Sequence, residues 1–252
     1  MAKLPDLIQR ATRPTTAPLG FASTRTKSTP SMIVVAQISA GWNAAASDAI
    51  AAGASVILLS GSPKETDIKA AAKAAADNPC GLIPNDSAKL GALSKNGLDF
   101  VVLDSASPAS ALQTEHLTFL LKVSEELSDV QLRTLDSLPV EALVLETPPG
   151  TLTIGRQMEL RRITGLARKP MLVSPAAGVS RDDLLSLRDS GVMLLAVDMT
   201  ASDGATTIGQ LAKLVKALPP RRARPRGEKG EVSLPTPPQT HKDHDDDDDD
   251  DE

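Results

Sequence analysis

Residues 171–198 read MLVSPAAGVSRDDLLSLRDSGVMLLAVD. An apolar run, residues 171–174, ends in a turn that contains Gly178. Ser180 then stands where a helix cap belongs, with Asp182 and Asp183 in the first turn, where acidic side chains complement the helix dipole. The helical stretch 180–190 stops at Gly191, and a second apolar run follows at 193–198. Neither run alternates polar and apolar residues, the pattern of parallel strands covered on both faces. Strand, crossover helix and parallel strand make one βαβ unit.

The same unit recurs upstream. Apolar runs lie at residues 32–38 (MIVVAQI), 55–60 (SVILLS), 81–84 (GLIP), 100–104 (FVVLD), 117–123 (LTFLLKV) and 142–146 (ALVLE), which with the two above makes eight. Pro84 is tolerable because it falls at a strand end. Helix-like segments follow each run, at 43–52, 63–77, 87–95, 107–115, 128–138, 153–167, 180–190 and 206–218. Eight strand–helix units predict a parallel sheet closed into a (β/α)8 TIM barrel, one α/β domain over residues 32–218. An open doubly wound sheet is the alternative. Residues 1–31 read as a short helix at 4–11 and an arm that packs on the barrel. Residues 219–252 are Pro- and Arg-rich and then carry seven consecutive aspartates, Asp245–Asp251. Such composition cannot bury enough apolar area to offset its ordering entropy, so a disordered tail is expected.

Composition narrows the function. The net charge of -5 comes from the end of the chain: without residues 219–252 the body holds 21 basic and 21 acidic residues. A neutral body gives no global field to steer nucleic acid or an anionic membrane. Aromatics are 2%, with one Trp and no Tyr, which argues against base-stacking platforms. No apolar run is long enough to cross a membrane, and the first residues lack the apolar centre of a secretory signal, so a cytoplasmic location is expected. The single cysteine, Cys80, excludes an internal disulfide framework and reads as a small buried hydrophobe.

Active sites of such barrels lie at the C-terminal ends of the strands. The runs here end in Gln37, Ser60, Asp86, Asp104, Lys122, Glu146, Ser174 and Asp198. Most stand two residues beyond a small apolar residue, as Asp104 follows Val102 and Lys122 follows Leu120, and residues two apart share a face of a strand. If the apolar partners point into the barrel, the polar ones crown its mouth. Lys122 would then sit between Asp104 and Glu146, a candidate general base or Schiff-base former flanked by carboxylates. Glu146 and Asp198, with Asp104, would also offer the oxygen ligands that Mg²⁺ prefers. The competing reading is a salt-bridged lysine that neutralises excess carboxylate. The single Trp, Trp42, is expected to anchor the first barrel helix.

The turn after the seventh run, Ser174-Pro175-Ala176-Ala177-Gly178-Val179-Ser180, precedes a helix N-terminus, a combination suited to holding a phosphate. Here residues 170–202 resemble the phosphate-binding (β/α)8 barrels, a group that includes tryptophan- and thiamin-pathway synthases and flavin-dependent barrels. The resemblance implies a phosphate-containing ligand held by Ser174, Gly178 and Ser180, with Gly204 from the last loop. The chain departs from that group after the eighth run, where Asp198-Met199 replaces a small pair; that carboxylate would repel phosphate unless a metal or Lys intervened. Two readings result. One is a lyase, aldolase or isomerase acting on a small molecule through Lys122 and the mouth carboxylates. The other is a non-catalytic barrel that binds or scaffolds a protein partner through its charged tail.

Overall fold

The computed structural model describes residues 3–12, 30–85, 95–145 and 151–219. Eight parallel strands close into a barrel in sequence order, β1 (Ile33–Ile38), β2 (Val56–Leu59), β3 (Cys80–Leu82), β4 (Phe100–Leu103), β5 (Thr118–Val123), β6 (Ala142–Leu145), β7 (Met171–Val173) and β8 (Val192–Asp198), with β8 beside β1. Closure puts Gln37 of β1 opposite Asp198 of β8. Nearly every strand residue is buried because each strand feeds two cores. Val35, Leu58, Val102, Leu120, Val144, Leu172 and Ala196 belong to the barrel interior. Their neighbours in the chain, among them Val34, Ile57, Val101, Leu143 and Leu195, pack under the surrounding helices. The interior side chains are those that the two-residue spacing assigned inward.

Helices α2 (Trp42–Ala52), α3 (Glu65–Ala75), α4 (Asp129–Thr134), α5 (Ile154–Ala167), α6 (Arg181–Asp189) and α7 (Gly204–Lys216) surround the barrel. Ser128 caps α4, its Oγ accepting from the Gln131 amide, and Ser180 caps α6 in the same way through the Asp183 amide. The expected helix at 107–115 is instead a single 3-10 turn, Ala109–Gln113. Its only buried residue is Ala111, so no apolar stripe exists to dock and sustain an α-helix. The expected helix at 87–95 lies mostly outside the described residues.

Helix α1 (Lys3–Thr12) does more than pack against the outside. Leu4, Ile8 and Ala11 join the interior cluster, so α1 floors the barrel at the N-terminal ends of the strands. The backbone amides of Lys3 and Leu4 donate to the carboxylate of Asp99, just ahead of β4. Asp99 thus caps α1 from a distant part of the chain. At the other end of α1, the Thr12 hydroxyl meets Met193 Sδ at 3.4 Å, at the start of β8. On the same floor the buried Arg188 donates to the Pro219 carbonyl at 2.7 Å and to Ser31 Oγ at 3.5 Å, tying the residues just before β1 to those just after α7.

Phe100 fills the interior where β4 passes β3, across from Gly81. A Cβ on Gly81 would fall on the Phe100 ring, with Cδ2 at 2.5 Å. Cys80, next to it, is only 2% exposed. Burial, with a smaller contribution from the Asp99 charge, pushes its thiol up from the ordinary 9.0 to about 12. A group whose folded pKa is raised holds its proton longer in the folded than in the unfolded chain. Its contribution to stability is therefore complete below about 9 and is lost as pH rises towards about 12. The urea midpoint of the native chain should fall more steeply across that window than that of a Cys80→Ala variant. Equal slopes would show that the thiol is not held protonated by the fold.

Candidate functional site

The polar strand ends form a rim above the interior. Gln37, Lys122 and Ser174 are half-buried, Ser60 is buried, and Asp104 and Asp198 are exposed. Asp86 and Glu146 lie outside the described residues, and with them the expected pairing of Glu146 with Lys122 or with a metal. Ser60 donates to the Ile38 carbonyl at 3.3 Å, and Trp42 Nε1 donates to the Ser60 carbonyl at 3.3 Å, which fastens α2 to the end of β2.

Both described carboxylates of the expected catalytic and metal sets turn back on their own loops. Asp104 Oδ1 accepts from the Ala106 amide at 3.0 Å and from Ser107 Oγ at 2.9 Å. Asp198 Oδ1 accepts from the amide and hydroxyl of Thr200 at 2.8 and 2.6 Å. These are Asx-type turns, the usual way a short acidic side chain supports the chain leaving a strand. Lys122 forms no ion pair among the described residues. No group of three or more His, Cys, Asp or Glu side chains suited to a metal occurs among the described residues.

A cavity of about 480 Å³ opens between the loops that follow β7 and β8 and the first turns of α7. It brings together Ser174, Gly178, Asp198 and Gly204, with Gln37 reaching it from β1. Gly178 adopts φ 71, a conformation that L side chains rarely take. Gly204 is the close approach that shapes the far wall: a Cβ there would lie 2.6 Å from the Asp198 carbonyl. Ser180 is not part of the lining; its hydroxyl donates to Asp183 Oδ2 at 2.7 Å and is committed to the cap of α6. Lys122 and Asp104 are also outside the lining. A smaller cavity of about 210 Å³ lies on the other side of the β7 loop, sharing Ala176–Val179 as a wall.

Two carboxylates, one of them in the cavity lining, are not among the candidates read from the chain. Asp203, at the N-cap of α7, lines the cavity beside Asp198; its place in a turn before Gly204 is the signal that could have marked it. On the loop after β5, Glu125 pairs with Arg156 from the first turn of α5, Oε2 to Nη1 at 2.5 Å. Glu125 Oε1 and Arg156 Nε and Nη2 are buried without hydrogen-bond partners among the described residues. The same loop is held by Arg162, which donates to the Glu125 and Leu127 carbonyls. The hydrogen bonds that Arg162 donates to the Glu159 and Asp129 carboxylates raise its pKa above the ordinary arginine value.

No protein-family model matches the sequence, and no curated protein matches it either. Solved structures do. The tryptophan synthase α2β2 complex of the hyperthermophile Pyrococcus furiosus includes a chain that superposes with TM-score 0.56 at 16% identity, over 73% of this chain and 96% of that one. A mutant tryptophan synthase alpha-subunit from the same organism gives 0.54 at 16% identity with the same coverage. At such identity the likeness shows the fold, a (β/α)8 barrel.

Proposed function

We propose that this chain is a small-molecule-binding barrel whose ligand occupies the cavity between the β7 and β8 loops. The observation that carries this reading is the cavity itself, about 480 Å³ in size, on the face where (β/α)8 proteins place their active sites. Polar groups without side-chain hydrogen bonds among the described residues, the Gln37 amide and the Ser174 hydroxyl among them, line it. The test is titration of the full-length, ¹⁵N-labelled chain with the low-molecular-mass fraction of a cell extract. Saturable shifts centred on the Gly178 and Gly204 amides are expected. Shifts absent from those loops would remove the reading.

The finer assignment is chemistry of the lyase, aldolase or isomerase kind. Its support is the fold shared with tryptophan synthase alpha subunits, lyase-type enzymes, together with a half-buried Lys122 on the same rim that forms no ion pair among the described residues. Such a lysine is available as a base or a Schiff-base former. Borohydride reduction in the presence of glyceraldehyde or pyruvate should label Lys122 ahead of the exposed lysines, and Lys122→Arg should abolish that adduct. Labelling spread evenly over exposed lysines would remove the imine role. The non-catalytic reading draws on a different observation, that Asp104 and Asp198 both support their own turns. The tail through which it would recruit a partner, residues 220–252, lies outside the described residues. A phosphate-containing ligand, implied by the loop after β7, faces two carboxylates in the same cavity.

A further inference from the structure

Resting on the reading of this cavity as the ligand site, we infer that it takes a small polar molecule bearing a protonated amine rather than a phosphate ester. Among the described residues, the charged side chains of its lining are Asp198 and Asp203, and the lining holds no Lys, Arg or His. The N-terminus of α7 contributes about half a positive charge at the same wall. That is less than either carboxylate, so the wall stays negative overall.

The carboxylates are also set up to receive a donor. Thr200 occupies one oxygen of Asp198 and leaves Oδ2 without a partner among the described residues. Among the described residues Asp203 likewise receives only the Thr207 hydroxyl, at 3.3 Å on Oδ2. Gln37 and Ser174, both half-buried, hold no side-chain hydrogen bonds among the described residues, so they can take neutral hydroxyl or carbonyl groups of the same molecule. A divalent metal is a poorer occupant. Hard cations gather several protein oxygens, and no group of three acidic or other metal-binding side chains occurs among the described residues. A single ammonium has three N–H donors, which the carboxylates, the Gln37 and Ser174 oxygens or solvent can accept without a closed set of three acidic ligands.

Two probes share a carbon skeleton and differ in charge: 3-amino-1,2-propanediol and glycerol 3-phosphate. Each is titrated into the full-length ¹⁵N-labelled chain. The amine should shift the Gly178 and Gly204 amides saturably while glycerol 3-phosphate does not. Asp198→Asn, which keeps the oxygen that Thr200 uses, should weaken amine binding about tenfold or more. Asp203→Asn should weaken it in the same direction. Saturation by glycerol 3-phosphate alone would overturn the amine assignment and leave the cavity as the ligand site. Silence from both probes, with the extract still shifting those amides, would do the same. Silence from all three would remove both readings. Amine binding unchanged in both asparagine variants would show that the carboxylates do not select the charge.

Discussion

Gly81→Ala should lower the unfolding free energy by about 1–3 kcal/mol, the range for forcing one extra carbon into a packed core. The added Cβ would collide with Cε2, Cζ and Cδ2 of Phe100. Phe100 is 1% exposed and belongs to the interior cluster, so its ring has no solvent to move into. The two residues are register partners on β3 and β4, so separating them means prising apart a strand pair that the closed barrel needs. A double-mutant cycle isolates the effect. Phe100→Leu alone leaves a void and destabilises by itself. Combined with Gly81→Ala it supplies the room the methyl needs, so the double variant should be more stable than the sum of the two losses predicts. Urea midpoints of the four proteins measure this. A Gly81→Ala single variant within about 0.5 kcal/mol of the parent would mean the interior has slack that the packing does not show.

Leu4→Ala should cost more, about 2–5 kcal/mol, the range for truncating a fully buried leucine. Leu4 is 0% exposed although it lies only four residues into the chain. It closes the floor together with Ile8, beneath β-strand residues such as Ile33 and Leu194 of the same cluster. Asp99→Ala tests the other attachment of α1. It removes the acceptor for two amides of the first turn and should cost about 0.5–2 kcal/mol, as lost helix caps do. Thermal unfolding of both variants reads the losses. If Leu4→Ala melts with the parent, α1 does not contribute to the stability of the barrel.

Much of this architecture can be read along the chain because parallel strands buried on both faces leave continuous apolar runs, and all eight do so here. Spacing by two likewise places Gln37, Asp104, Lys122, Ser174 and Asp198 above the interior, since Val35, Val102, Leu120, Leu172 and Ala196 face inward. What resists such reading is contact between distant segments. The pattern of α1 shows that one face is buried, but not that the burying partner is the barrel floor. The Asp99 cap joins residues 96 positions apart. The cavity depends on β8 lying beside β1, which brings Gln37 to Asp198 only after closure. Side-chain direction is equally hidden: Asp104 and Asp198 occupy the rim, yet Ser107 and Thr200 draw their carboxylates into turns. The segment at 107–115 misleads for a local reason, since its helix formers carry no stripe that the barrel can use.

The clasp made by Arg188 on Ser31 and Pro219 has a practical side. It fixes Pro219 at the pole of the barrel opposite the rim. A reporter domain or a surface tether joined directly after Pro219 therefore begins its path on the face away from Gly178 and Gly204. Immobilised this way, the protein would present its open end to the bulk solution, which suits sensor formats that read ligand capture at an interface.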